Sequence, residues 1–176
     1  ASGSVFPIGT TPVSAQATDG SGNSAQCAFT VTVLGAQGVK SNVLAELIAL
    51  RTSANPGQPF AQKFDHAIKH LADSLNPAYW IDQIHLQPKG GNMAMNEEKL
   101  AAHKLWEIMD SNDCPVDRAV LQGFIDRIVK CDRLLAVIRI QDSARAGLSA
   151  KRIAEALAMV AKGDSEAAAG RYANAI

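Results

Sequence analysis

The sequence predicts an α+β fold in two parts. A partial β-sandwich of about three strands occupies residues 1–34, an all-α bundle of five to six helices occupies 41–176, and residues 35–40 link them. Three observations predict this. Apolar residues alternate with period two as far as Val33. From Val43 onward they recur at the spacing of a helix face. The stretch between, Gly35-Ala-Gln-Gly-Val-Lys40, is short and glycine-containing.

In the last strand, Ala25 to Val33, Phe29, Val31 and Val33 share one parity with Cys27, while Thr30 and Thr32 hold the other. Upstream, Val13, Ala15 and Ala17 alternate with Ser14, Gln16 and Thr18. Asp19-Gly-Ser-Gly-Asn23 lies between these runs and suits positive φ angles and side-chain-to-backbone turn bonds, so the two strands form a hairpin. Phe6 to Thr11 gives a short preceding strand, with Pro12 tolerable at a strand start or sheet edge.

Ser41 or Asn42 is positioned to cap a first helix bearing Val43, Leu44, Leu47, Ile48 and Leu50, which Asn55-Pro-Gly57 ends. A second helix, about Pro59 to Leu75, places Phe60, Phe64, Ala67, Ile68, Leu71 and Leu75 on one stripe. Asn76-Pro77 starts a short helical turn through Asp82, and Gln87 to Gly91 reads as an exposed loop. The third helix runs from Asn96 to about Met109, with Glu97 and Glu98 in its first turn favoured by the helix dipole. Pro115 suits the first turn of a fourth, capped by Asp113 or Cys114 and reaching Ala144. Ser149 caps a fifth helix to Ala161, and Gly163-Asp-Ser165 leads into a sixth. The final segment, Gly170 to Ile176, stops inside an apolar helical pattern, and the sequence reads as a fragment of something larger.

Hydrophobic residues make up 47% of the 176 and charged residues 19%, enough for a core. Lys plus Arg and Asp plus Glu number 17 each, which gives no basis for electrostatic capture of nucleic acid or anionic membrane. No apolar run approaches the roughly 20 residues that span a bilayer. Three Cys leave at least one without an internal partner.

Several constellations could carry chemistry. His66 and His70 are four apart on one helix with Asp73 following, a spacing able to hold a metal, but they lie opposite Phe64, Ile68 and Leu71 and read as a solvated face. Asp19 to Asn23 offers oxygen atoms to calcium, yet it is too short for an EF-hand and reads as a plain turn. Cys114 and Cys131 stand about 25 Å apart if one helix holds both, and can bond only if that helix is broken. No Ser-His-Asp, Cys-His or zinc spacing occurs, and no Gly-rich phosphate loop follows a strand. Catalytic, cofactor and metal residues are therefore expected to be absent. Gly147 to Leu157 mimics the first helix of a helix-turn-helix, but Ala158 to Lys162 prolongs that helix where a tight turn should follow, so DNA binding is disfavoured. Tyr79, Trp80 and Trp106 are candidate contacts for a partner, with core packing as the competing role.

The order S-G-S-x-F-P-x-G-T-T followed by V-x-x-x-A-T-D-x-S-G-N-x-A-x-C-x-F-T-V-T-V, from Ser2 to Val33, resembles the C-terminal half of a hyalin repeat (HYR) module. The resemblance implies an immunoglobulin-like domain of secreted or cell-surface proteins. The family often carries a Cys where this chain has Ala15, so the implied disulfide partner of Cys27 lies outside these residues. A sandwich of this type needs about seven strands. Three leave an open apolar face, to be covered by a longer parent chain, the helical region or strands from a neighbouring subunit. Residues 41–176, with L-x-x-L, H-L-A-D-S-L-N-P-x-Y-W, E-K-L-A-A-x-K-L, C-D-R-L-L-A and A-x-G-R-Y-x-x-A-I, resemble an all-helical module that follows HYR repeats or other adhesive domains at the C-terminal end of bacterial extracellular proteins. Its last motif is similar to the start of a tetratricopeptide-type helix.

The resulting expectation is a secreted or surface-exposed structural or adhesive protein, not an enzyme. It would act through protein partners or self-association, extending to a fibre or surface layer, without cofactor, nucleic acid or membrane span. The alternative is an accessory subunit whose helical part docks onto an enzyme or cell-wall polymer.

Overall fold

The computed structural model describes residues 3–176; Ala1 and Ser2, where the expected β region and the HYR resemblance begin, lie outside the described residues. The chain divides at Gly35/Ala36 into two compact units. It is α+β, with six helices and two antiparallel sheets of two strands each among the described residues.

The first unit holds one hairpin, β1 (Gly9–Thr18) and β2 (Ser24–Val33), in continuous register from Gly9 opposite Val33 to Thr18 opposite Ser24. This corrects the expected three strands. Thr10 and Thr11 belong to the same strand as Val13 to Thr18, and Phe6 and Pro7 form no strand. The reason is Pro12. The Asp19 amide donates to the Asn23 carbonyl at 2.9 Å, and counting back through the alternating pairs places Pro12 opposite Thr30 in a non-hydrogen-bonded pair. Its nitrogen faces away from β2, where proline breaks no ladder bond, so the strand runs through it. The described β residues form one layer, not a sandwich.

The second unit is the helical bundle. Helix α1 is Ala36–Ala54, so residues 36–40 are its first turns and not a linker. The physical reason is a buried stripe, Ala36, Lys40, Val43 and Leu47, whose helical spacing outweighs the roughly 1 kcal/mol that a glycine at position 38 costs. Ser41 accordingly is no cap; its hydroxyl donates back to the Gln37 carbonyl. Helix α2 (Phe60–Ser74) buries Phe64, Ala67 and Leu71 along the expected stripe.

The segment expected to be a helical turn through Asp82 is helical only at Pro77–Tyr79, capped by the Asn76 side chain. Strand β3 (Trp80–Asp82) then pairs with β4 (His85–Leu86). Asp82 closes their turn by accepting from the Ile84 and His85 amides at 2.8 and 2.9 Å. Helix α3 (Gly91–Met109) begins before the predicted Asn96. Two glycines allow this: a Cβ on Gly90 would lie 2.8 Å from the Tyr79 Cα, and one on Gly91 would lie 3.2 Å from the Leu86 Cβ.

Helix α4 (Arg118–Arg145) is capped by Asp117, which accepts from the Ala119 amide, in place of Asp113 or Cys114. Helix α5 (Ala150–Ala168) passes through Gly163-Asp-Ser165 without the predicted break. There the Ser165 hydroxyl returns to the Ala161 carbonyl, and Gly163 lets the Ala175 carbonyl approach. The single turn α6 (Tyr172–Ala175) is tied to α4 by the Tyr172 hydroxyl on Gln122. The main core joins Val43 and Leu47 of α1, Phe64 and Leu71 of α2, Leu105 and Ile108 of α3, and Leu121, Phe124, Ile125 and Ile128 of α4.

Candidate functional site

The register sorts the hairpin side chains onto two faces. Thr10 with Thr32, Pro12 with Thr30, Ser14 with Ala28, Gln16 with Gln26 and Thr18 with Ser24 make one, and the two threonine hydroxyls meet at 3.1 Å. The other carries Thr11 with Val31, Val13 with Phe29, Ala15 with Cys27 and Ala17 with Ala25. That second face is apolar, yet no residue of either strand is buried and Phe29 is 52% exposed. A lone two-stranded hairpin is marginal in water, and an apolar face of this length is what further strands normally cover.

The turn is built to hold the two strands in register. Asp19 Oδ1 accepts from the Ser21 and Asn23 amides at 2.9 Å each, Oδ2 accepts from the Asn23 side chain at 2.8 Å, and Gly22 takes φ +86°. These bonds, led by that from the Asn23 side chain, hold the Asp19 carboxyl below its usual pKa. Both oxygens thus accept hydrogen bonds within the turn.

His66 is exposed, and His70 Nδ1 lies 2.6 Å from Glu97 Oε2. Among the described residues no three His, Cys, Asp or Glu side chains are grouped to hold a metal. All three cysteines are unbonded: Cys27 is exposed on β2, Cys114 donates to the Val116 carbonyl at 3.2 Å, and Cys131 is buried. The considered Cys114–Cys131 bond is absent because Cys131 points into a second apolar cluster with Ala36, Trp80 and Leu135. Burial there pushes its thiol up to about 11. Trp80 is core, correcting its candidacy as a contact: it is 6% exposed and its indole N–H donates to the Ser74 carbonyl at 2.9 Å. Tyr79 packs half-buried beside it. Trp106 is half-buried on the main core, its ring stacked on His103 at 5.9 Å. Helix α5 continues unbroken past Leu157, so the tight turn that a helix-turn-helix requires is missing.

The charged cluster that sequence reading missed is Lys40, Glu98 and Asp132. Their side chains are 0%, 0% and 3% exposed and come from α1, α3 and α4. Lys40 Nζ donates to Asp132 Oδ1 at 2.5 Å, lies 2.8 Å from Glu98 Oε1, and sits 5.2 Å from the centre of the Trp80 ring. The Glu98 contact is out of hydrogen-bond alignment, and Glu98 Oε2 and Asp132 Oδ2 also find no donor. One ammonium therefore serves two buried carboxyls. Burial first, and the neighbouring Asp132 charge second, drive the Glu98 pKa well above the usual glutamate range despite Lys40. When protonated, Glu98 can donate to Asp132. Burial alone would depress Lys40, but the Asp132 and Glu98 charges reverse this and raise it. The cluster's signal in the sequence is a charge standing in an apolar stripe: Lys40 among Ala36, Val43 and Leu47, Asp132 among Ile128 and Leu135. The cluster brings side chains of three helices together at one buried point.

Residues 1–33 match the family model of the HYR domain. No curated protein and no solved structure matches the chain.

Proposed function

We propose that this chain is part of an extracellular structural or adhesive protein that works by protein–protein assembly and performs no catalysis, with the hairpin as a spacer or interaction module and the helical unit as a capping or assembly domain. The observation that carries this reading is the exposed apolar face of Val13, Phe29 and Val31 on a segment that matches the HYR domain. HYR domains occur in extracellular proteins, and no helix among the described residues is long and apolar enough to cross a membrane. The strand edges add a direction. Pro12 turns a donorless nitrogen outward on β1, so β2, which has no proline, is the edge that accepts a further strand. Such strands come from more of the same polypeptide or from a neighbouring subunit, and the Cys on a completing strand is the partner proposed for Cys27.

The reading is tested by sedimentation velocity on the purified chain over a range of concentrations. Self-association is expected, and the double variant Phe29→Lys, Val31→Lys should weaken it by roughly a hundredfold, since it places two charges at the centre of an apolar contact. A chain that stays monomeric throughout and gains strands from no partner overturns assembly. The accessory-subunit alternative loses support from the burial of Trp80, which removes one of its three aromatic contacts.

A further inference from the structure

Within the helical unit, the β3–β4 pair, the start of α3, the C-terminal half of α4 and the middle of α5 enclose a groove of about 530 Å³. Its size is that of a small-molecule site. Leu86, Met95, Leu135, Met159 and Val160 give it an apolar lining. Met159 is 72% exposed on α5, a helix with no buried residue. The helix thus forms one wall of the groove without closing it.

The polar groups on the lining are unequally satisfied. His85 is held between two aspartates, with Nδ1 2.7 Å from Asp82 and Nε2 3.2 Å from Asp142. Asp142 also receives Arg145 at 3.1 Å. Both carboxylates near the groove are therefore occupied. The side chain of Arg139, exposed on the same lining, makes no ion pair or hydrogen bond among the described residues, its backbone carbonyl alone accepting from Ser143. The one charge left to complement is positive, beside an apolar trough. A carboxylate matches its planar fork with two parallel hydrogen bonds, which a cationic or neutral guest cannot form.

The geometry points to a binding site for a small amphipathic carboxylate, with the apolar body in the trough of Leu86, Met95, Leu135 and Val160 and the carboxylate on the Arg139 guanidinium. The site is independent of the hairpin and of the assembly reading.

The test uses the full chain and isothermal titration with decanoate below its aggregation threshold, compared with decanol and decylamine. Saturable one-to-one binding of decanoate is expected, with decanol and decylamine at least roughly tenfold weaker. Arg139→Gln should bring decanoate down to the decanol level without changing the thermal melt, because Arg139 has no structural partner to lose. Ala156→Trp, which fills the groove, should abolish binding of both. Phe29→Lys, Val31→Lys should leave decanoate binding unchanged, so that this site and the assembly surface fail separately. Equal binding of decanol and decanoate, indifference to Arg139→Gln or Ala156→Trp, or non-saturating uptake overturns the proposal.

Discussion

Replacing Lys40 by Met is expected to destabilise the helical unit by about 3–5 kcal/mol, the range for removing one partner of a fully buried ion pair. The side chain lost is 0% exposed, and it is the only cation in contact with Glu98 and Asp132 among the described residues. Met fills much of the same volume, so the loss reports charge and not a cavity. Restoring neutrality should restore stability: Lys40→Met, Glu98→Gln, Asp132→Asn together are expected to recover most of it, because a neutral triad has no charge to desolvate. Arg133→Gln serves as the control. Its pair with Asp164 at 2.7 Å is half-exposed, and such pairs contribute about 0–1 kcal/mol. Urea unfolding followed by far-UV circular dichroism gives all three values. A Lys40→Met loss no larger than the Arg133→Gln loss would show that the triad is not the central tie.

The same cluster fixes a pH dependence and its sign. Glu98 titrates above its ordinary range when folded, first through burial and then through the Asp132 charge. The folded chain therefore binds this proton more tightly than the unfolded chain. That contribution is fully present below the unfolded glutamate pKa and is lost as pH rises through the folded one. Stability attributable to Glu98 thus falls as pH increases above the ordinary glutamate range, the reverse of a salt-bridged surface carboxylate. Glu98→Gln is expected to flatten that decline, and unfolding midpoints measured at a series of pH values check it. An unchanged slope in Glu98→Gln would mean that the proton resides elsewhere.

What could be read from the sequence depended on whether one interaction dominated each element. The α2 stripe and the hairpin alternation were legible because their apolar residues repeat at a single period. Helix α4 was legible for most of its length for the same reason. Its start was not, since Pro115 and Asp117 compete as signals and only the Asp117 carboxylate reaches an unsatisfied amide. Residues 36–40 read as a linker because Gly35 and Gly38 are local breakers, whereas burial of Ala36 and Lys40, a tertiary effect, decides for helix. The buried triad was hidden by its residue types: Glu98 near a helix start has a sufficient explanation in the helix dipole, and only its alignment with Ala94, Ala101 and Leu105 places it inside. The apolar groove was not legible at all, as it depends on how β3–β4 and α5 flank α4.

Trp80→Ala is expected to cost about 3–5 kcal/mol, the range for truncating a buried aromatic. The ring is the largest member of the second cluster, packed with Ala36, Cys131 and Leu135, and it lies against Lys40 Nζ. Its loss opens a cavity beside the triad and leaves the Ser74 carbonyl without its indole donor. Trp80→Phe separates these effects: it keeps most of the apolar volume and loses the hydrogen bond, for which about 1–3 kcal/mol is expected. A surface aromatic used to contact a partner behaves differently, since its replacement changes stability by only about 0.5 kcal/mol while abolishing binding. Thermal melts of Trp80→Ala and Trp80→Phe beside the native chain distinguish the two roles. A native-like melt for Trp80→Ala would return Trp80 to the set of contact residues and strengthen the accessory-subunit alternative. The expected large loss, graded from Ala to Phe, leaves only the half-buried Tyr79 and Trp106 as aromatic contacts, and directs the search for a partner to the exposed face of the hairpin.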